Sequence, residues 1–148
     1  MRIKYLFVLI LILSVFLTEL SAQTMPEGKW RLSAYNFSGK ISKPLDGLEI
    51  TLNINPEGKL GGKSGCNTYG GSWEFTEGKL KISDIFSTKM FCDAESNMFE
   101  SDYYDLLGKT RVFSIEKGKL TLTDPKSLKF LEFTEVQKKK IAVVRDPA

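Results

Sequence analysis

The sequence predicts a mainly β domain: a small antiparallel sheet, barrel-like or strongly curled, with one short α-helix packed on it. Three observations carry that expectation. Apolar residues fall on every second position in several short segments. The triplet Gly-Lys-Leu punctuates them at residues 58–60, 78–80 and 118–120, and a single stretch switches to helical spacing.

Taken in order, residues 30–37 place Trp30, Leu32, Ala34 and Asn36 on one side, and residues 48–54 alternate as Leu-Glu-Ile-Thr-Leu-Asn-Ile. A period of two puts such side chains on one face of a strand. The same pattern marks strands over residues 72–75, 80–85, 112–115, 120–123 and 128–134. Between them, Asn55-Pro56-Glu57-Gly58-Lys59, Thr76-Glu77-Gly78-Lys79 and Glu116-Lys117-Gly118-Lys119 read as hairpin turns. Glycine tolerates the positive φ that such turns require. Residues 93–107 break the rhythm, with Phe99, Tyr103, Leu106 and Leu107 at the spacing of an amphipathic helix. Asp93 or Ser96 suits its N-cap, and Gly108 its left-handed C-terminal cap.

The first residues read as a leader. Arg2 and Lys4 precede an apolar run over residues 5–17, and Ser21-Ala22 supplies small residues before Gln23, the pattern of a secretory signal peptide over 1–22. The run is short for a membrane span, which takes roughly 20 residues. Neither cysteine lies near its end, so no lipid anchor is expected. The chain is therefore expected to be exported, soluble, and periplasmic or extracellular, without a membrane span once the leader is cut. Residues 23–137 amount to one domain, with a basic tail at 138–148.

Composition excludes more than it suggests. The chain of 148 residues carries a net charge of only +3, which gives no reason to expect nucleic acid as a partner. Lys138-Lys139-Lys140 reads as a solvated tail. With no histidine, a Ser-His-Asp or Cys-His nucleophile and an imidazole zinc site are all ruled out. Two thiols fall short of the four ligands of a structural zinc. No cofactor and no metal are expected, and the domain reads as a monomer.

The stretch Gly61-Gly62-Lys63-Ser64-Gly65-Cys66-Asn67-Thr68-Tyr69-Gly70-Gly71 reads as a loop that gathers five glycines and one of two cysteines. It is not a phosphate loop, because G-x-x-x-x-G-K-[ST] needs glycine where Glu57 stands. Cys66 and Cys92 form an even pair in a chain bound for an oxidising compartment. A structural disulfide closing about 27 residues would stabilise the fold by roughly 3.5 kcal/mol. Two buried thiols and a reactive redox couple are the alternatives.

These residues carry a resemblance. Ser64-Gly65-Cys66-Asn67, Tyr69-Gly70, the run Ser87-Thr88-Lys89-Met90-Phe91-Cys92, Glu100 with Tyr103, Tyr104 and Leu107, and Leu120-Thr121-Leu122 resemble the META domain, or HslJ-like, family over roughly residues 30–133. The resemblance implies a compact barrel-like β fold with a helix against it, an envelope location and a tie to heat shock and stress response, with no established catalysis. Many bacterial members are lipoproteins; this chain lacks the anchoring cysteine, has Phe91 where a small residue is common, and lacks the usual proline after the second cysteine.

The expected function is thus non-enzymatic: binding of an envelope protein or small ligand in support of stress tolerance. A lipocalin-like small-ligand carrier is the alternative, and a thiol redox protein a further one. Ser64, Asn67, Tyr69 and Thr88 are the candidate ligand contacts, weighed against a purely structural role, and Cys66 with Cys92 the structural disulfide. Trp30 and Trp73 read as core anchors. Met90, Phe91, Met98 and Phe99 read as packing residues.

Overall fold

The computed structural model describes residues 25–136. The expected leader, 1–22, and the basic tail, 138–148, lie outside the described residues. Among the described residues, nine strands form one antiparallel sheet: β1 (Gly28–Asn36), β2 (Ile41–Ser42), β3 (Thr51–Ile54), β4 (Lys59–Lys63), β5 (Thr68–Thr76), β6 (Lys79–Ser87), β7 (Val112–Glu116), β8 (Lys119–Asp124) and β9 (Lys129–Glu135). The helix α1 (Ala94–Lys109) lies between β6 and β7 in the chain. The spatial order is β6-β5-β4-β3-β1-β9-β8-β7, with β2 paired to the end of β1. The sheet curls into a half-barrel around the helix. Its two edges meet where the Leu80 amide donates to the Arg111 carbonyl over 2.9 Å.

Local sequence sets the hairpins. Lys117 and Gly118 take φ of 50° and 75°, and Glu77 and Gly78 take 53° and 74°. Positive φ at both central residues twists the turn to match its strands. The β3–β4 turn is longer, and there the Asn55 Oδ1 accepts from the Lys59 amide over 2.8 Å. At the start of α1 it is Asp93 that caps, taking the Ser96 amide at 2.8 Å. Hydrogen bonds from Ser96, from its amide first and then from its hydroxyl, hold the Asp93 carboxyl below the usual carboxylate range.

Four expectations change. Gly61 and Gly62 lie inside β4, and Gly70 and Gly71 inside β5, so the glycine stretch is mostly paired strand rather than loop. A side chain has no room there: a Cβ on Gly61 would stand 2.6 Å from the Tyr69 carbonyl oxygen, and one on Gly62 would enter the Thr51 carbonyl. Gly108 is not a left-handed cap either. The helix runs on to Lys109, and Thr110 ends it by giving its amide to the Leu106 carbonyl at 2.9 Å. In β1 a register shift between Leu32 and Ala34 breaks the alternation, and Tyr35 comes to pack edge-on against Phe99 at 5.2 Å. Finally, Met90, Phe91 and Met98 are 57%, 83% and 70% exposed, so of the four residues expected to pack only Phe99 does. Two flank the cysteine on a connecting loop and the third is on the outer face of the helix.

Trp30, Leu52, Leu60, Leu80, Phe113, Leu120, Leu131 and Phe133 line the concave face. Phe99, Tyr103, Leu106 and Leu107 of α1 fill it, as their spacing predicts. Each such side chain contributes about 1.5–3 kcal/mol by burial. Trp73 packs at the margin and gives its indole N–H to the Asn55 carbonyl at 3.1 Å. The hollow of the sheet is filled with protein.

Candidate functional site

The corner between β4 and β5 turns through Ser64 to Asn67, directly beneath the amino-terminal half of α1. Ser64 is wholly buried, Asn67 and Glu100 nearly so. Burying polar groups in such a place is costly unless each finds a partner. Here each does. Asn67 gives its backbone N–H to Glu100 Oε1 at 2.7 Å and its Nδ2 to Glu100 Oε2 at 2.6 Å. The same Nδ2 reaches the Met90 carbonyl at 3.1 Å. At the other end of the amide, Oδ1 accepts from the Thr88 hydroxyl and the Met90 amide, both at 2.8 Å. One asparagine thereby ties together the corner, the loop after β6 and the helix.

Ser64 closes the circuit. Its Oγ lies 2.7 Å from Glu100 Oε1 and 3.0 Å from the Asn67 carbonyl, both of them acceptors. Its single proton goes to that side, so the 2.6 Å contact with the Tyr104 hydroxyl is donated by Tyr104. Burial raises the Tyr104 phenol above its ordinary value. A second pair lies deeper: the hydroxyls of Tyr69 and Tyr103 meet at 2.7 Å, and that of Tyr69 donates to the Thr51 carbonyl at 3.0 Å. Desolvation pushes both phenols well above the usual tyrosine range, the hydrogen bond from Tyr103 partly offsetting it at Tyr69.

Cys66 and Cys92 are joined by a disulfide, with Cα atoms 6.3 Å apart. The bond crosses from the corner to the residue before the Asp93 cap, alongside the hydrogen bonds of Asn67. Ser64, Asn67 and Thr88 therefore come together in one cluster. Tyr69 stands next to it but faces the core. Glu100, Tyr103 and Tyr104 complete the arrangement and were not among the candidate contacts. The available signals were the family resemblance, which already takes in Glu100, Tyr103 and Tyr104, and the helical face, where Ser96, Glu100 and Tyr103 follow at i, i+4 and i+7.

Residues 23–138 match the META domain family. The chain belongs to that family. No curated protein sequence matches the chain. Among solved structures, an NMR structure of a protein from Burkholderia xenovorans is similar at a TM-score of 0.63 and 23% identity, covering 81% of this chain and 97% of the other. A further NMR structure reaches 0.57 at 18% identity, covering 74% and 89%. The crystal structure of a DUF4847 family protein from Bacteroides vulgatus reaches 0.51 at 12% identity, covering 76% and 94%. These likenesses show the fold.

Chemically, the META corner is closed. The Ser64 hydroxyl has no exposed surface, and its neighbours are a carboxyl, a carbonyl and a phenol, none of them an activating imidazole. Among the described residues, no group of three or more Cys, Asp or Glu side chains is placed to hold a metal ion. No helix among them is long and apolar enough to cross a membrane. Open space lies elsewhere, on the outside. A groove of about 1080 Å³ runs over the ends of β1, β3, β4 and β9, and a notch of about 280 Å³ sits between the end of α1 and the β8–β9 turn.

Proposed function

We propose that this META-domain chain is a non-enzymatic, exported protein that binds a component of the cell envelope and supports stress tolerance. The observation that carries the reading is the saturation of the motif cluster. Every polar atom of Asn67 is used on Met90, Thr88, Ser64 and Glu100, so the motif builds the scaffold and leaves its outer faces to do the binding. A disulfide at the corner suits an oxidising compartment, as does the leader-like sequence over 1–22. The groove over the strand ends, floored by Ile54 and Leu60 and flanked by Lys29, Lys59, Glu27 and Glu135, offers a mixed surface for a protein partner. The lipocalin-like alternative finds less support, since the hollow such a carrier would use holds Trp30, Tyr103 and Phe133.

The test is affinity capture from envelope extract with the mature domain, together with survival of a deletion strain under heat. A specific envelope component, released by substitutions at Lys29 and Asn53, and a survival defect are the expected results. No captured component and unchanged survival would end the reading.

A further inference from the structure

The notch beside the end of α1 is unlike the saturated corner. Its lining carries Lys109, Arg111, Lys126 and Lys129 against two carboxyls, Asp105 and Asp124. Both carboxyls are already engaged. Asp105 pairs with Lys109 at 2.7 Å. Asp124 accepts from the Ser127 hydroxyl at 2.6 Å and the Lys126 amide at 3.0 Å. The contact with Ser127, ahead of that with the Lys126 amide, holds its carboxyl below the usual carboxylate range. Arg111, Lys126 and Lys129 make no salt bridge among the described residues.

Two of these cations stand on rigid supports. Arg111 is the residue at which the half-barrel closes, its carbonyl bonded to the Leu80 amide and its own amide to the Thr123 carbonyl at 3.1 Å. Its Nη1 donates to the Gly108 carbonyl at 2.8 Å and the Thr110 carbonyl at 2.6 Å. That fixes the guanidinium plane, offsets the negative end of the helix dipole, and leaves the other guanidinium N–H groups free. Lys129 opens β9, opposite Asp124 in the ladder. Lys126 sits in the turn that the Asp124 carboxyl organises. A cavity that sets four cations against two already engaged carboxyls, with the Arg111 guanidinium held in place, is a receptor for a compact multi-oxygen anion.

We propose that this notch binds a phosphate group, carried by a small soluble ligand or by a lipid headgroup, through Arg111, Lys126 and Lys129. The site goes beyond the envelope-partner reading and shares no residue with the groove that serves it, so either can fail alone.

The test uses the full mature chain, isotope-labelled, titrated with inorganic pyrophosphate and, at matched ionic strength, with sodium chloride. Amide shifts should be confined to residues 105–111 and 124–129, and should appear with pyrophosphate alone. Lys126→Gln in the β8–β9 turn with Lys129→Gln at the start of β9 should leave the melting temperature unchanged and weaken binding about tenfold. Added salt at about 0.5 M should abolish it, as the Debye length shrinks to a few ångströms. Co-sedimentation with phosphatidylglycerol but not phosphatidylcholine vesicles, lost in the same variant, would assign the phosphate to a headgroup. Binding of pyrophosphate without vesicle binding would assign it to a soluble ligand. Shifts that sodium chloride reproduces, or binding to neither probe, would overturn the proposal.

Discussion

The two ends of α1 meet the sheet in opposite ways. At the amino-terminal half, Glu100 enters a buried cluster in which Asn67, Ser64 and Thr88 exhaust one another's hydrogen-bonding capacity, and a disulfide ties the loop beside it. At the carboxyl-terminal end, Arg111 caps the helix carbonyls while Lys126 and Lys129 make no salt bridge among the described residues. The first end gathers Ser64, Asn67, Thr88 and Glu100 around one another's polar groups, which are thus occupied in joining segments distant in sequence. Cations that make no salt bridge among the described residues lie at the second end.

That contrast predicts unequal sensitivity to substitution. Replacing Cys66 and Cys92 together by alanine removes the cross-link over 26 residues of separation, and should cost roughly 3.5 kcal/mol in chemical denaturation. A loss below about 1 kcal/mol would mean the hydrogen bonds alone hold the corner. Alkaline pH should act next. In the fold the phenols of Tyr69 and Tyr103 stay protonated well past the ordinary tyrosine value, while the unfolded chain releases those protons near pH 10. Stability should therefore hold below pH 10 and fall above it, by about 1.4 kcal/mol per pH unit for each phenol. Absorbance near 295 nm should show these two tyrosines titrating only as the protein unfolds.

Tyr104→Phe removes one donor to Ser64 Oγ and should cost about 1 kcal/mol. Thermal melts against the parent check this, and an unchanged melt would show that Ser64 is held without it. Smallest of all, Lys126→Gln with Lys129→Gln should change stability by less than about 0.5 kcal/mol. A large loss there would make the notch part of the scaffold and erase the difference between the two ends.

Much of the fold was legible in the sequence because it is locally encoded. The Glu-Gly-Lys and Lys-Gly-Lys turns announce their own geometry, the alternating segments their faces, and Phe99-Tyr103-Leu106-Leu107 the inner side of the helix. The glycine pairs in β4 and β5 were not legible as strand, since glycine has no side chain to alternate. Their reason for being there exists only after folding: Gly61 and Gly62 come close to the Tyr69 and Thr51 carbonyls, Gly70 to the Phe86 ring and Gly71 to the Ser83 carbonyl. Gly108 misled because a glycine near a helix end usually caps it, whereas here Thr110 does. Met90 and Phe91 misled because apolar character alone does not say which way a loop faces, and Met98 because it lies on the outer face of the helix, off the Phe99-Tyr103-Leu106-Leu107 stripe. Within the cluster, Ser64, Asn67 and Thr88 stood out as a motif, but the meeting of Ser64 with Glu100 spans 36 positions. No local spacing rule reaches that far.

The central claim is that Ser64, Asn67, Thr88 and Glu100 brace one another. A double-mutant cycle on Asn67→Ala and Glu100→Ala, read by denaturant unfolding, tests it most directly. Each single change strands buried partners and should cost about 3 kcal/mol, and the double change much less than their sum, leaving a coupling of about 1–3 kcal/mol. Two variants as stable as the parent and additive within about 0.5 kcal/mol would contradict it.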